Sequence, residues 1–155
     1  MGSFLGGLVA LFVSVTLALS PTQESSELIA LRSFLGEKQS PLPAEVLLQY
    51  PNWKTIVALS CAESGYGQKL GGQYNAWGIK DYRAGSSRFG KTRDFESWEE
   101  SIAYTSELLY KYDPEDGEPS PWGMVRAWKY VRPYTHWVNN VAYSLYDIEQ
   151  NVLVA

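Results

Sequence analysis

One carboxyl stands out in this chain for the chemistry it can do: Glu63, in the stretch Ala58-Leu-Ser-Cys-Ala-Glu-Ser-Gly-Tyr-Gly67. Asn52 is a plausible N-cap behind Pro51, Trp53 to Ser64 contains no Gly or Pro, and Gly65 falls where a left-handed glycine ends a helix. The spacing therefore predicts a helix over 53–64. Glu63 sits in its last turn, on the face of Ile56, Leu59 and Ser60. An apolar surround disfavours the anion there, and so does the negative end of the helix dipole. Both raise the pKa, as general acid catalysis at a glycosidic oxygen requires. Taken alone, a glutamate near a helix end is most often only a solvated side chain.

The residues that follow Glu63 change those odds. Glu-Ser-Gly closing an apolar helix is followed by a Gly-rich turn, then Tyr74-Asn-Ala-Trp-Gly-Ile-Lys80, then Phe95-Glu-Ser-Trp-Glu-Glu-Ser-Ile102. This ordered set, spanning roughly Pro51 to Glu149, resembles the lysozyme-like superfamily. It is most similar to the bacterial mannosyl-glycoprotein endo-β-N-acetylglucosaminidase-like domains, with the lytic transglycosylases as a neighbouring group. The resemblance implies a mainly α, lysozyme-like helical domain with a small β-hairpin as one wall of the cleft, and it implies Glu63 as catalytic acid. Tyr130-Val-Arg-Pro-Tyr134 resembles a shortened form of that family's paired-tyrosine segment, which implies Tyr130 at the reaction centre and Tyr134 beside it.

The elements that must position Glu63 can be read in order. Ser25 to Leu35 reads as a helix stopped by Gly36, and Pro43 opens a short one through Leu47 and Leu48 that ends at Tyr50. Glycines 65, 67, 71, 72, 78, 85 and 90 break helical periodicity, and Trp77–Tyr82 with Thr92–Phe95 are expected to pair as a hairpin around 83–90. Residues 80–94 hold five cations (Lys80, Arg83, Arg88, Lys91, Arg93) against Asp81 and Asp94, in a chain of net charge −4. Such a basic wall suits an anionic polymer such as peptidoglycan; a charged edge guarding a hairpin against aggregation is the plainer alternative. Ser97-Trp-Glu-Glu100 is a capping box, so Glu99 and Glu100 read as first-turn charges. Ser120-Pro121 starts a short helix, and Thr135 is expected to cap a last one with the core stripe Val138, Val141, Leu145, Ile148.

Ser64, Tyr66, Tyr74, Asn75 and Trp77 are the expected cleft residues. The tyrosines and Trp77 flank Glu63 on loops and offer faces for sugar stacking. A second carboxylate would come from Asp81 or Asp94. In the alternative, the substrate's own 2-acetamido group is the nucleophile, or the bond is cut non-hydrolytically, and one acid suffices.

Composition bounds the rest. The 155 residues make one domain with its own core, 45% apolar and 19% charged, and the acidic balance argues against nucleic acid as partner. The single cysteine, Cys61, excludes an internal disulfide, and with the single histidine, His136, it makes a zinc site or a thiol nucleophile improbable; no metal and no cofactor are expected. Phe4 to Leu19 is apolar and of signal-peptide length, so 1–20 is expected to be a signal peptide or an uncleaved membrane anchor and 22–155 the glycosidase domain of an exported monomer. The reading is a peptidoglycan hydrolase. Its rivals are a lytic transglycosylase or muramidase, a non-catalytic peptidoglycan-binding module, and an intracellular helical domain in which Phe4–Leu19 is core.

Overall fold

A computed structural model of the chain describes residues 24–81, 91–130 and 132–153. The apolar stretch 4–19 and the hairpin tip expected at 83–90, with Arg83 and Arg88, lie outside the described residues. The architecture is mainly helical: α1 (Ser26–Glu37), α2 (Ala44–Leu47), α3 (Trp53–Ser64), α4 (Trp98–Leu109), α5 (Pro121–Trp128) and α6 (Thr135–Ile148), the last running into a π-helical turn at Glu149–Leu153. Among the described residues no helix is long and apolar enough to cross a membrane.

α3 buries more of its residues than any other helix. Trp53 and every residue from Thr55 to Ser60 are buried, so the helix is covered nearly all round rather than along one stripe. Its main partner is α6, whose Trp137, Val138, Val141 and Ile148 are buried, with α4 across another side. Each of Ile56, Val57 and Leu59, wholly removed from water, contributes about 1.5–3 kcal/mol of burial. α3 stops where the sequence says it must, with Gly65 left-handed at φ 60°, its N–H on the Cys61 and Ser60 carbonyls.

Four local expectations are corrected. Asn52 occupies the N-cap position of α3 without capping it. Its amide instead donates to the Ser106 and Gly117 carbonyls (3.2 and 3.3 Å) and its Oδ1 accepts from the Ser106 hydroxyl (2.8 Å). That tertiary set, wholly buried, ties α4 and the 113–117 loop to the start of α3, and outweighs one local cap. Gly36 does not stop α1, which continues to Glu37; the left-handed residue is Gln39 (φ 52°), with Ser40 N–H on the Leu35 carbonyl as in a Schellman ending. Thr135 is the first residue of α6, and Tyr134 takes the cap position. The hairpin is reduced, among the described residues, to an isolated antiparallel bridge between Lys80 and Thr92, flanked by Asp81 N–H to Lys91 O (2.9 Å) and Arg93 N–H to Ile79 O (2.8 Å).

The other caps follow the sequence. Ser97 Oγ accepts from Glu100 N–H (3.2 Å), while the Glu100 carboxylate reaches back to the Glu96 N–H (2.7 Å) and the Arg93 guanidinium (3.1 Å). Ser120 Oγ accepts from Gly123 N–H behind Pro121.

Candidate active site

The loop after α3 is built to deliver backbone to Glu63. Ser64 donates to the Ala76 carbonyl (2.7 Å), with the Ser60 carbonyl at 3.1 Å, and accepts from Gly67 N–H (2.8 Å). This pins the 65–77 loop to the helix end. Asn75, wholly buried, donates to the Ile79 and Arg93 carbonyls (2.9 and 2.8 Å) and accepts from the N–H groups of Trp77 and Ile79. Three of those bonds curl residues 75–79 into a tight loop with Gly78 at its apex, left-handed at φ 63°, and the fourth ties the loop to Arg93. Trp77 lies under the loop, fully buried, its indole N–H on the Ile56 carbonyl of α3 (2.8 Å). The Trp128 indole in turn donates to the Trp77 carbonyl (3.0 Å), so α5 holds the loop from the other side.

Glu63 lies between this loop and α6. Its Oε1 accepts a 2.6 Å hydrogen bond from Trp137 Nε1, and its Oε2 points at Gly78 so closely that a Cβ there would stand 2.9 Å away. Among the described residues Oε2 has no hydrogen-bond partner. Burial pushes the carboxyl above the ordinary glutamate pKa. The Trp137 bond and the positive charges of Lys129 and Lys80 act the other way and lose to burial. The site thus holds one oxygen fixed by a donor and leaves the other to carry a proton.

Two cavities are lined in part by α5. One of about 130 Å³ is lined by Gly78, Lys80, Tyr104, Trp128 and Tyr130, so Gly78 has the Glu63 carboxylate against it and also lines open space. A second, of about 600 Å³, lies along α5 and the turn to α6 and includes Tyr134.

The expected site residues divide on this geometry. Tyr130, two-fifths exposed, does line the cavity beside Gly78. Tyr134 lies on the larger cavity instead, with the Arg132 guanidinium 5.7 Å from its ring centre. Trp77 and Tyr66 are corrected as sugar-stacking faces. Both are buried, and Tyr66 sends its hydroxyl to Ser144 of α6 (2.9 Å) and its ring edge-on to Phe34. Ser64 and Asn75 are likewise buried with their polar atoms used by backbone, so they build the site rather than meet a ligand. Tyr74 is half-buried edge-on to Trp98 (5.4 Å). Asp94 is exposed and its Oδ1 accepts from Gln73 N–H (2.8 Å), a local turn bond. Asp81 is half-buried next to the Lys80–Thr92 bridge. Arg93 is no rim cation: Glu100 pairs with it, and its guanidinium lies 4.6 and 4.5 Å from the Phe95 and Tyr104 ring centres.

Cys61 is half-buried, and desolvation raises its pKa, which keeps a thiol protonated and unreactive. His136 is exposed in the first turn of α6.

Sequence reading missed Trp137 and the role of Gly78. Trp137 was detectable: it precedes Val141 by four residues on the core stripe, and a buried indole N–H needs an acceptor. Comparison with family models, with curated proteins and with solved structures finds no match, so the site is read on its geometry alone.

Proposed function

We propose that the protein cleaves the β-1,4-linked N-acetylglucosamine/N-acetylmuramic acid glycan of peptidoglycan, with Glu63 as a single general acid. The fold is read as a lysozyme-like helical domain in which the bridged residues 79–81 and 91–93 form part of one wall of the cleft. The observation that carries this reading is the seating of Glu63: a carboxyl of raised pKa, gripped at Oε1 by Trp137, with Oε2 unbonded among the described residues and set against Gly78, which lines a cavity. A glycan-binding module has no use for a carboxyl held in that way.

In the reaction, Oε2 gives its proton to the glycosidic oxygen as the bond to the anomeric carbon breaks. The Trp137 N–H and the Lys80 and Lys129 charges then stabilise the carboxylate left behind. The substrate's own 2-acetamido oxygen takes the anomeric carbon, and water attacks as Glu63 recovers a proton from it. A single-acid course is favoured because Asp94 is held by the Gln73 amide. No cofactor enters. Tyr130, on the cavity beside Gly78, is placed to meet the sugar. Residues 1–20 are read as the export signal or anchor that brings the domain to the wall.

The test is mass spectrometry of purified peptidoglycan digested with the protein. New N-acetylglucosamine reducing ends are the expected product. An anhydro sugar would assign the non-hydrolytic course, and intact glycan strands would sink the proposal.

A further inference from the structure

The larger cavity has a chemistry of its own. Its about 600 Å³ fall within the range of ligand-binding pockets, and its walls combine aromatic faces with cations. Trp122 is 61% exposed, an unusual state for an indole, and it stands in a concavity rather than on a convex surface. Arg126 and Arg132 line the same space; both are exposed, and among the described residues neither makes an ion pair. Among the described residues no acidic side chain lines the cavity, in a chain whose net charge is −4. Arg132 rests against the Tyr134 ring, which aims a planar fork of donors instead of leaving a mobile charge. Two forks without carboxylate partners beside an aromatic plate suit a ligand that bears carboxylates on a carbon framework.

The cavity is connected to Glu63 through α5. Residues 122, 125 and 126 of that helix line it, while 127 and 128 line the smaller space beside Gly78. The six helical rises from Trp122 to Trp128 span about 9 Å. A branch of a polymer held at Glu63 is therefore within reach. We propose that this cavity binds the carboxylate-bearing peptide stem of the polymer whose glycan Glu63 cleaves, an inference that rests on the function proposed above. The arginines take the stem carboxylates and Trp122 covers its aliphatic portion. The enzyme is thereby directed to stem-bearing glycan over bare amino-sugar chains.

The experiment titrates the full chain calorimetrically with two probes: peptide stems released from purified peptidoglycan by an amidase, and the same stems with their carboxyls amidated. Saturable binding of the free stems is expected. Trp122→Ala should weaken it about tenfold, the loss of one stacking contact, and amidation and the double variant Arg126→Gln/Arg132→Gln should each weaken it by about tenfold or more, the loss of both charge-assisted contacts. Binding should also fall with added salt. Both arginines and Trp122 are exposed, so circular dichroism should show an unaltered fold. Equal binding of free and amidated stems, unaltered binding by the arginine variant, or no binding of free stems overturns the proposal. Glycan cleavage by the wild type, assayed beside the titration, separates the two claims. Stem binding together with an inability of the wild type to cut peptidoglycan removes the function and keeps an anion site. Glycan cleavage without stem binding removes the site and keeps the function.

Discussion

Gly78→Ala places a methyl group where the account says the reactive oxygen lies. The new Cβ would stand 2.9 Å from Glu63 Oε2, half an ångström inside the 3.4 Å at which ordinary contact begins. The carboxyl cannot retreat freely, because Oε1 is held 2.6 Å from the Trp137 indole nitrogen. The substitution also forces an L-residue to φ 63°, a strain of roughly 1–2 kcal/mol. For a domain of this size that strain lowers Tm by about 2–8 °C. Misplacing a catalytic group by ~1 Å costs about 10²-fold, so a half-ångström displacement should cost roughly tenfold or more in kcat. Gly65→Ala is the matched control: φ is 60°, and a Cβ there meets nothing within 4 Å. It carries the same backbone strain without the collision. Thermal unfolding and initial rates on purified peptidoglycan, measured on both variants, separate the two effects. Gly65→Ala should lose Tm from the strain alone and Gly78→Ala at least as much, while only Gly78→Ala loses the rate. Equal rates in the two variants would mean that Oε2 does not work from beside Gly78.

Trp137→Phe removes the donor that favours ionised Glu63, so the pKa should rise further and the basic limb of the pH–rate profile should move to higher pH; a fixed limb would mean that the bond does not tune the acid. Glu63→Gln should stabilise the fold at neutral pH. The folded carboxyl binds its proton more tightly than the unfolded one, so wild-type stability declines as pH rises from 4.5 through the raised folded value, and the variant escapes that decline. Its advantage in Tm at pH 7 should therefore vanish below pH 4.5. Gly36→Ala, inside α1 with open space around the new methyl, should raise stability by about 0.5–1 kcal/mol in urea unfolding without altering activity.

The parts of the molecule written in local chemistry were legible in the sequence. α3 runs from Trp53 to Ser64 and ends at Gly65 as its breakers require, Ser97 and Ser120 cap as expected, and the α6 stripe is core. Where tertiary demand overrides a local preference, the sequence misleads. Asn52 reads as a cap and is spent across the fold, and Gly36 reads as a stop and is carried through by its helix. The same holds at the site. Glu63 was found from its place on a helix, but Trp137 is 74 residues away, and no local pattern joins them. Trp77 and Tyr66 flank the acid in sequence, which says nothing about the side of the loop they face. Their apolar rings went to the core.

The central claim is that Glu63 supplies the proton. Reducing ends released from purified peptidoglycan by wild type and Glu63→Gln, at equal concentration and at the wild-type pH optimum, test it most directly. The amide keeps the shape of the side chain and can still accept the Trp137 bond, but it has no proton to give. Loss of positioned acid catalysis predicts a fall of about 10²–10⁴-fold with the fold intact by circular dichroism. A variant that retained more than about half the wild-type rate, against that expected loss, would contradict the assignment.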